Sequence, residues 1–497
     1  MQPWNLLASD TVQGFIEEAL TRKWDALQVS TALHKAGYSN EDRAAIMDYM
    51  ALVPKFREKF CSSESISKVG AASESANKDT ARGMFLLCDK LALEQSTAQD
   101  IGRWKANLWP RGNDATDDTT ESATGAGAKV HDLCCGMGGD SFYLPASLTL
   151  TGVDLDENRL AMYRHNLQAF GKDASVKCAD VREVASENGA QSLNGAQPAG
   201  NGMRTDYFTI DPARRAIEGE NQRDLRNLTP TLEEVVEISK HYKGGMAKLP
   251  PGYPPAEIPD GTEILYLGGH SDCRECLVLF GELAKHPDTV RAVIVGKNGE
   301  TVAEWTRRRD RSLETLDDDL QEKLDRNDSL EGKDRTYRTA TSRSDLPLGG
   351  IGKYIAEPAP VLIRSRIFSD AALAHDPGAH LISEGIAYVS SDKPLPAPAF
   401  ASYEILAHAE IATGAVRAML KDHGIGKITL KLRGVKLDPD AETKRLKPKG
   451  KNEAILFYTR AQGEKIAILT KRVPSSKFRV PSIVDFKRLL DTRNSSN

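Results

Sequence analysis

The sequence predicts a doubly wound α/β domain, preceded by a helical region and followed by a smaller α/β domain. Three observations predict it. From Val130 onward, short apolar strands alternate with helical stretches. A glycine-rich turn follows the first of those strands, and acidic residues stand at the ends of the next three.

The elements follow in order. Residues 1–111 read as helical: TVQGFIEEALTRKWDAL, EDRAAIMDYMALVPKFREKF and ARGMFLLCDKLALEQSTAQDIGRWKANLW carry apolar residues at three- and four-residue spacing. A small, polar, glycine-containing linker spans 112–128. The α/β domain occupies 129–298, with strands at VHDL, LTGVDL, ASVKCADV, YFTIDP, GGMAKL, EILYL and RAVIVG. ENRLAMYRHNLQAF and TLEEVVEISKHY supply helices, and Ser186–Met203 reads as a disordered insertion at a loop tip. Charges crowd 299–348, which reads as a solvated insertion or linker. Strands and helices return over 349–475, and 476–497 reads as a fraying tail.

The totals restrict the class. A chain of 497 residues implies two or three domains. A net charge of −4 means that any affinity for nucleic acid must come from a local patch. Seven scattered cysteines argue for a reducing compartment rather than a disulfide framework. No signal segment is read at the N-terminus and no apolar run reaches the roughly 18 residues of a membrane span, so a cytoplasmic protein is expected.

The chemistry gathers at VHDLCCGMGGD. A strand ends at Leu133, glycines follow at 136, 138 and 139, and a helix is expected from about Asp140. Asp154 ends the next strand, where such sheets present a carboxylate to ribose hydroxyls. Asp180 ends the third strand, Asp211 and Pro212 the fourth, and Lys248 the fifth. Taken singly, Asp154, Asp156 and Asp211 are also good helix N-caps. A dinucleotide fingerprint would have a glycine where Ser141 stands, and no triphosphate-binding run is present. A nucleoside ligand without phosphates, such as S-adenosylmethionine, fits the acidic rim better.

DLCCGMGGD, VDLD, CADV and DPARR resemble the first four motifs of class I S-adenosylmethionine-dependent methyltransferases. LEQSTAQDIGRWKA, KLPPG, SYEILAHAEI and IGKITLKLRGVKLDP are similar to the bacterial members with a C-terminal THUMP-like domain, a resemblance running from about Leu93 to Val473 outside the insertions. It implies a Rossmann-like methyltransferase sheet and S-adenosylmethionine as cofactor. Asp132, Gly136, Gly138 and Gly139 would hold the cofactor's amino-acid half, and Asp154 its ribose. Asp180 and the Val181 N–H would read the adenine, with Gln95 a further candidate at the methionine end. Asp211, Pro212 and Arg214 would line the catalytic, acceptor side. Base-amino methyltransferases follow Asp-Pro with a second proline and an aromatic. Ala213 and Arg214 stand here instead, which leaves base stacking and the methylated atom open. Arg214 or Arg215 would meet a phosphate or stack through its guanidinium plane. No cysteine follows DPARR closely, which disfavours carbon methylation.

Cys273 and Cys276 form a lone C-x-x-C, read as core or helix cysteines, and no metal site is expected. From Lys421 to Arg479 there are sixteen Lys or Arg against six Asp or Glu. Lys436, Lys444, Arg445, Lys447 and Lys449 concentrate that excess into an expected nucleic-acid contact. The expectation is methylation of RNA, tRNA foremost, at a base nitrogen. DNA, protein or small-molecule substrates stay open, as do a guanine-amino methyltransferase, suggested by CGMGGD, and a non-catalytic nucleic-acid-binding protein.

Overall fold

The computed structural model describes residues 3–60, 85–110, 127–193, 205–214, 225, 227–309, 346–474 and 483–485. Most of the expected linker at 112–128 lies outside them, as do residues 194–203 and 310–345 of the two expected insertions. The chain divides into two compact units. One comprises Met1–Lys248 with Leu279–Lys285 and Lys297–Glu300; the other comprises Leu249–Val278, His286–Gly296 and Thr301–Asn497.

The first unit opens with helices α1 (Pro3–Leu7), α2 (Asp10–Thr21), α3 (Ala26–Lys35), α4 (Asn40–Met50) and α5 (Val53–Phe60). Val12, Ile16, Val29, Leu33, Ile46 and Phe56 are fully buried, as their helical spacing requires. The two long helices expected here each divide. The first stops at Thr21, Lys23 takes φ +54°, and the Asp25 side chain caps α3. The second stops at Met50, ahead of Pro54, because proline lacks the N–H and clashes inside a helix. α6 (Lys90–Gln95) and α7 (Gln99–Lys105) are shorter than the expected pair. Phe85–Asp89 forms no helix, and Asp89 caps α6.

Strands β1 (Lys129–Leu133), β2 (Thr149–Asp154), β3 (Ala174–Cys178), β4 (Tyr207–Ile210), the two-residue β5 (Ala213–Arg214) and β6 (Leu228–Thr229), and β7 (Gly244–Leu249) follow. β3-β2-β1-β4-β7 lie side by side in that order, all parallel. Every residue of β4 is buried, typical of a parallel sheet covered on both faces. Helices α8 (Glu157–Ala169), α9 (Val181–Leu193) and α10 (Leu232–Ser239) connect the strands. The helix expected at Asp140 does not form. Residues 134–148 turn repeatedly, with Ser141 and Phe142 both donating to the Gly138 carbonyl. Pro145 leaves too few residues to repay helix nucleation. Conversely, α9 continues through Leu193 into the segment read as disordered from Ser186. Asn188 fixes it by donating to the Thr205 and His241 carbonyls, at 3.0 and 2.9 Å.

In the second unit β8 (Glu263–Gly268) lies between β9 (Glu275–Gly281) and β10 (Thr289–Val295), followed outward by β11 (Thr301–Arg308) and, last in the chain, β19 (Ile483–Asp485). β9 places Cys276 in the core, one of the two readings given for it. Two of the others correct the sequence reading. β11 lies inside the stretch read as a solvated insertion, because Ala303 and Trp305 bury one face of it. β19 pairs with β11 inside the expected fraying tail. A second sheet contains β12 (Tyr354–Pro358), β13 (His380–Leu381), β14 (Val389–Ser391), β15 (Phe400–Glu410), β16 (Ile425–Leu432), β17 (Asn452–Ala461) and β18 (Glu464–Arg472). Its order is β13-β14-β12-β15-β18-β17-β16. α11 (Pro360–Arg364) and α12 (Phe368–His375) follow β12, and α13 (Thr413–Asp422) and α14 (Pro439–Leu446) flank β16. Val416, Leu420, Leu446, Leu456 and Leu469 share one core there. No described helix is long and apolar enough to cross a membrane.

Candidate active site

Parallel pairing places the carboxyl ends of five strands on one edge. Leu133 aligns with Val153 and Ile210, Asp154 with Cys178, and Ile210 with Ala247. Gly136, Asp154, Asp180, Asp211 and Lys248 therefore stand along one rim, where such sheets bind ligands. Gly136 takes φ +53°, and a Cβ built on it meets no atom within 4 Å. Its N–H donates to Asp154 Oδ2 at 3.1 Å, and the Asp156 N–H donates to Oδ1 at 3.0 Å. Asp156 is the residue that caps α8, whereas Asp211 leads into β5. Burial raises the Cys134 thiol, and Asp154, Asp211, Asp132 and Asp180 raise it further. Carboxylates from four strand ends thus act on a single side chain.

Beneath the turn, Asp132 is buried and accepts from Ser141 Oγ at 2.6 Å, and Ser141 accepts from Tyr163. Burial holds the Asp132 carboxyl well above the usual range, helped by Asp140 and Asp211 and opposed by Ser141 and Lys105. A Cβ on Gly139 would lie 2.9 Å from Ser96 Cβ and 3.1 Å from the Thr97 nitrogen, so only glycine lets the α6–α7 link lie against the turn. That link brings residues the sequence reading missed. Asp140 pairs with Lys105, whose side chain is 2% exposed, and accepts from Thr97 Oγ1 at 2.8 Å. Burial alone would raise the Asp140 carboxyl. Lys105 and Lys248 outweigh it and hold the group below the usual range. Lys248 donates to Asp211 Oδ2 at 2.6 Å, to the Gln95 carbonyl at 3.2 Å and to Thr97 Oγ1 at 3.3 Å. Its ammonium also lies 3.8 Å from Asp140. Its ammonium is committed to partners within the protein.

The remaining expected residues are placed as follows. Asp180 is held by Arg182 through both of its oxygens, at 2.9 and 2.5 Å, and Arg182 also reaches Glu234 at 2.7 Å. Hydrogen bonding from Arg182 lowers the Asp180 carboxyl. Val181 is buried at the start of α9, and Pro212 is buried. The Arg214 backbone pairs with Leu228, and Arg215 lies outside the described residues. In the second unit Lys436, Lys444, Lys447 and Lys449 are exposed. Arg445 differs: it grips Glu442, whose side chain is 3% exposed and also accepts from Tyr458. Cys276 is buried and its thiol is pushed up to about 12 by that burial. Among the described residues no group of three His, Cys, Asp or Glu side chains could hold a metal ion.

A Mycobacterium tuberculosis protein named as an uncharacterized S-adenosylmethionine-dependent methyltransferase is 26% identical over 385 residues, spanning 77% of this chain and 87% of that protein. The chain is a homologue of S-adenosylmethionine-dependent methyltransferases. A crystal structure from Porphyromonas gingivalis W83, provisionally assigned as a methyltransferase, superposes with a TM-score of 0.61. It is 18% identical and covers 94% of this chain and 99% of its own, which shows the shared fold. Residues 401–472 match the model of the THUMP domain-like family. A shorter similarity, 40% over 63 residues, links 12% of the chain to 14% of the ribosomal RNA small subunit methyltransferase B of Pseudomonas syringae pv. tomato.

Proposed function

We propose that this chain transfers the methyl group of S-adenosylmethionine to RNA, with a base nitrogen as the acceptor. The observation that carries the cofactor reading is the joined pair of Gly136 and Asp154 on the acidic rim. Two backbone N–H groups fix the Asp154 carboxylate and leave other lone pairs for two ribose hydroxyls. Several carboxylates nearby repel phosphates and favour a cationic ligand. A nucleoside carrying an ammonium and no phosphate therefore fits the residues present.

S-adenosylmethionine supplies an electrophilic methyl group. This chain's residues do the rest. Gly136, Gly138 and Gly139, with Asp132 behind them, hold the amino-acid half. Asp154 takes the ribose. Asp180 and the Val181 N–H face the adenine, for which Arg182 must yield or share its hold on Asp180. Asp211 orients the acceptor nitrogen and accepts its proton, while buried Pro212 fixes the turn and Arg214 lines the acceptor side. Lys444, Lys447 and Lys449 attract the RNA backbone, and the THUMP-like match supports RNA over other polyanions. Tritium transfer from labelled S-adenosylmethionine, assayed against tRNA, rRNA, DNA and protein fractions, tests the reading. Label in RNA supports it; label confined to DNA, protein or small molecules rejects RNA as substrate.

A further inference from the structure

The link between α6 and α7 belongs chemically to the rim although it precedes the sheet. Two ammonium groups and two carboxylates interlock there. Lys105 holds Asp140, Asp140 draws on Lys248, and Lys248 holds Asp211, with Thr97 bonded to both Asp140 and Lys248. Lys105 is almost wholly buried, and Asp140 and Lys248 are 13% and 15% exposed. Desolvated charges at this depth persist only when paired, and their partners restrict where each can sit. An ammonium bonded to one oxygen of Asp211 fixes the rotation of that carboxylate, which is the property an acceptor-orienting group needs.

We propose that Lys248 is the positioning residue for Asp211, and that Asp140, anchored by Lys105 and Thr97, sets Lys248 in place. The inference rests on the reading of Asp211 as the acceptor-side acid. It assigns a role to the LEQSTAQDIGRWKA segment that strand-end motifs leave out. The chain of contacts runs from α7 through the glycine turn to β7 and ends at β4. A disturbance at Asp140 should therefore reach Asp211 without touching it.

The test uses the full chain. In cofactor-free protein labelled with 13C at aspartate carboxyls, the Asp211 resonance is identified by its loss in Asp211→Asn. Asp140→Asn and Lys248→Met should each move it, and the double variant should move it no further than Lys248→Met alone. In the methyl-transfer assay Lys248→Met should lower kcat roughly tenfold to a hundredfold with KM for S-adenosylmethionine little changed, and Lys248→Arg should restore part of the loss. An Asp211 resonance unmoved by Asp140→Asn overturns the relay. A loss that falls on cofactor KM, or that arginine does not recover, overturns the positioning role. The resonance measurement needs no substrate. If wild-type protein methylates no RNA, the substrate reading fails while this result stands separately.

Discussion

Asp154 shows how one side chain serves the local fold and a ligand together. Its two backbone hydrogen bonds tie the glycine turn to β2, so replacing it removes both a ligand contact and a loop anchor. Asp154→Ala should weaken S-adenosylmethionine binding by roughly a hundredfold in calorimetry. Asp154→Asn keeps one acceptor oxygen and should lose less. Equal binding by Asp154→Ala and wild type would remove the ribose assignment. His131, on the same sheet, predicts a pH effect. Burial, with Lys177 and Lys129 adding to it, lowers its pKa from 6.5 to about 4. Its ring bonds Tyr242 and Thr205. The unfolded chain therefore binds more protons between those two values. Stability is full above pH 6.5 and falls by about 3 kcal/mol as pH drops toward 4. Urea unfolding across that range should show the loss in wild type and a flatter profile in His131→Gln.

β4 and β7 were readable because covered strands are short, largely apolar runs, whereas the exposed edge strand β3 was readable from its place between α8 and the Asp180 turn. α8 was readable because Asp156 and its apolar spacing announce it. Other elements were hidden for physical reasons. Three of the eight residues of β11 are charged, and only Ala303 and Trp305 are buried. The turn after Gly139 offered a helical composition but too little length before Pro145. The rim acids stood at strand ends and could be read from spacing. Lys105 and Asp140 meet across 35 residues of chain, and nothing in either neighbourhood names the other. Asn166 on α8 was equally silent. It donates to the carbonyls of Leu87 and Met137 at 2.9 and 3.0 Å and accepts from the Leu87 N–H at 2.6 Å. Asn166→Ala strands three buried backbone groups and should cost about 2–4 kcal/mol in chemical denaturation. A loss below 1 kcal/mol would mean that water replaces the amide.

For the molecule as a whole, a net charge of −4 coexists with exposed lysines around the end of α14. The Gly450 N–H bonds the Ile425 carbonyl and Asn452 Nδ2 bonds the His423 carbonyl, so the turn bearing Lys447 and Lys449 is tied to β16. Neutralising Lys444, Lys447 and Lys449 should weaken RNA binding and lower its salt slope by roughly 2 in a log–log plot. Arg445→Gln should act instead through stability, because Glu442 is left buried without its cation. Unchanged RNA affinity in the triple variant would remove this patch from the interface. The N-terminal helices also bond to the turn that follows β1 and to the segment around α6. Tyr143 donates to the Phe60 carbonyl, Tyr49 to that of Leu86, and Lys59 to that of Leu93. A shortened protein beginning at Lys129 would thus keep every strand-end motif yet forfeit Thr97 and Lys105. Anyone minimising this enzyme for crystallography or engineering should expect such a fragment to be catalytically crippled, because the residues it lacks lie outside the strand-end motifs that define the sheet.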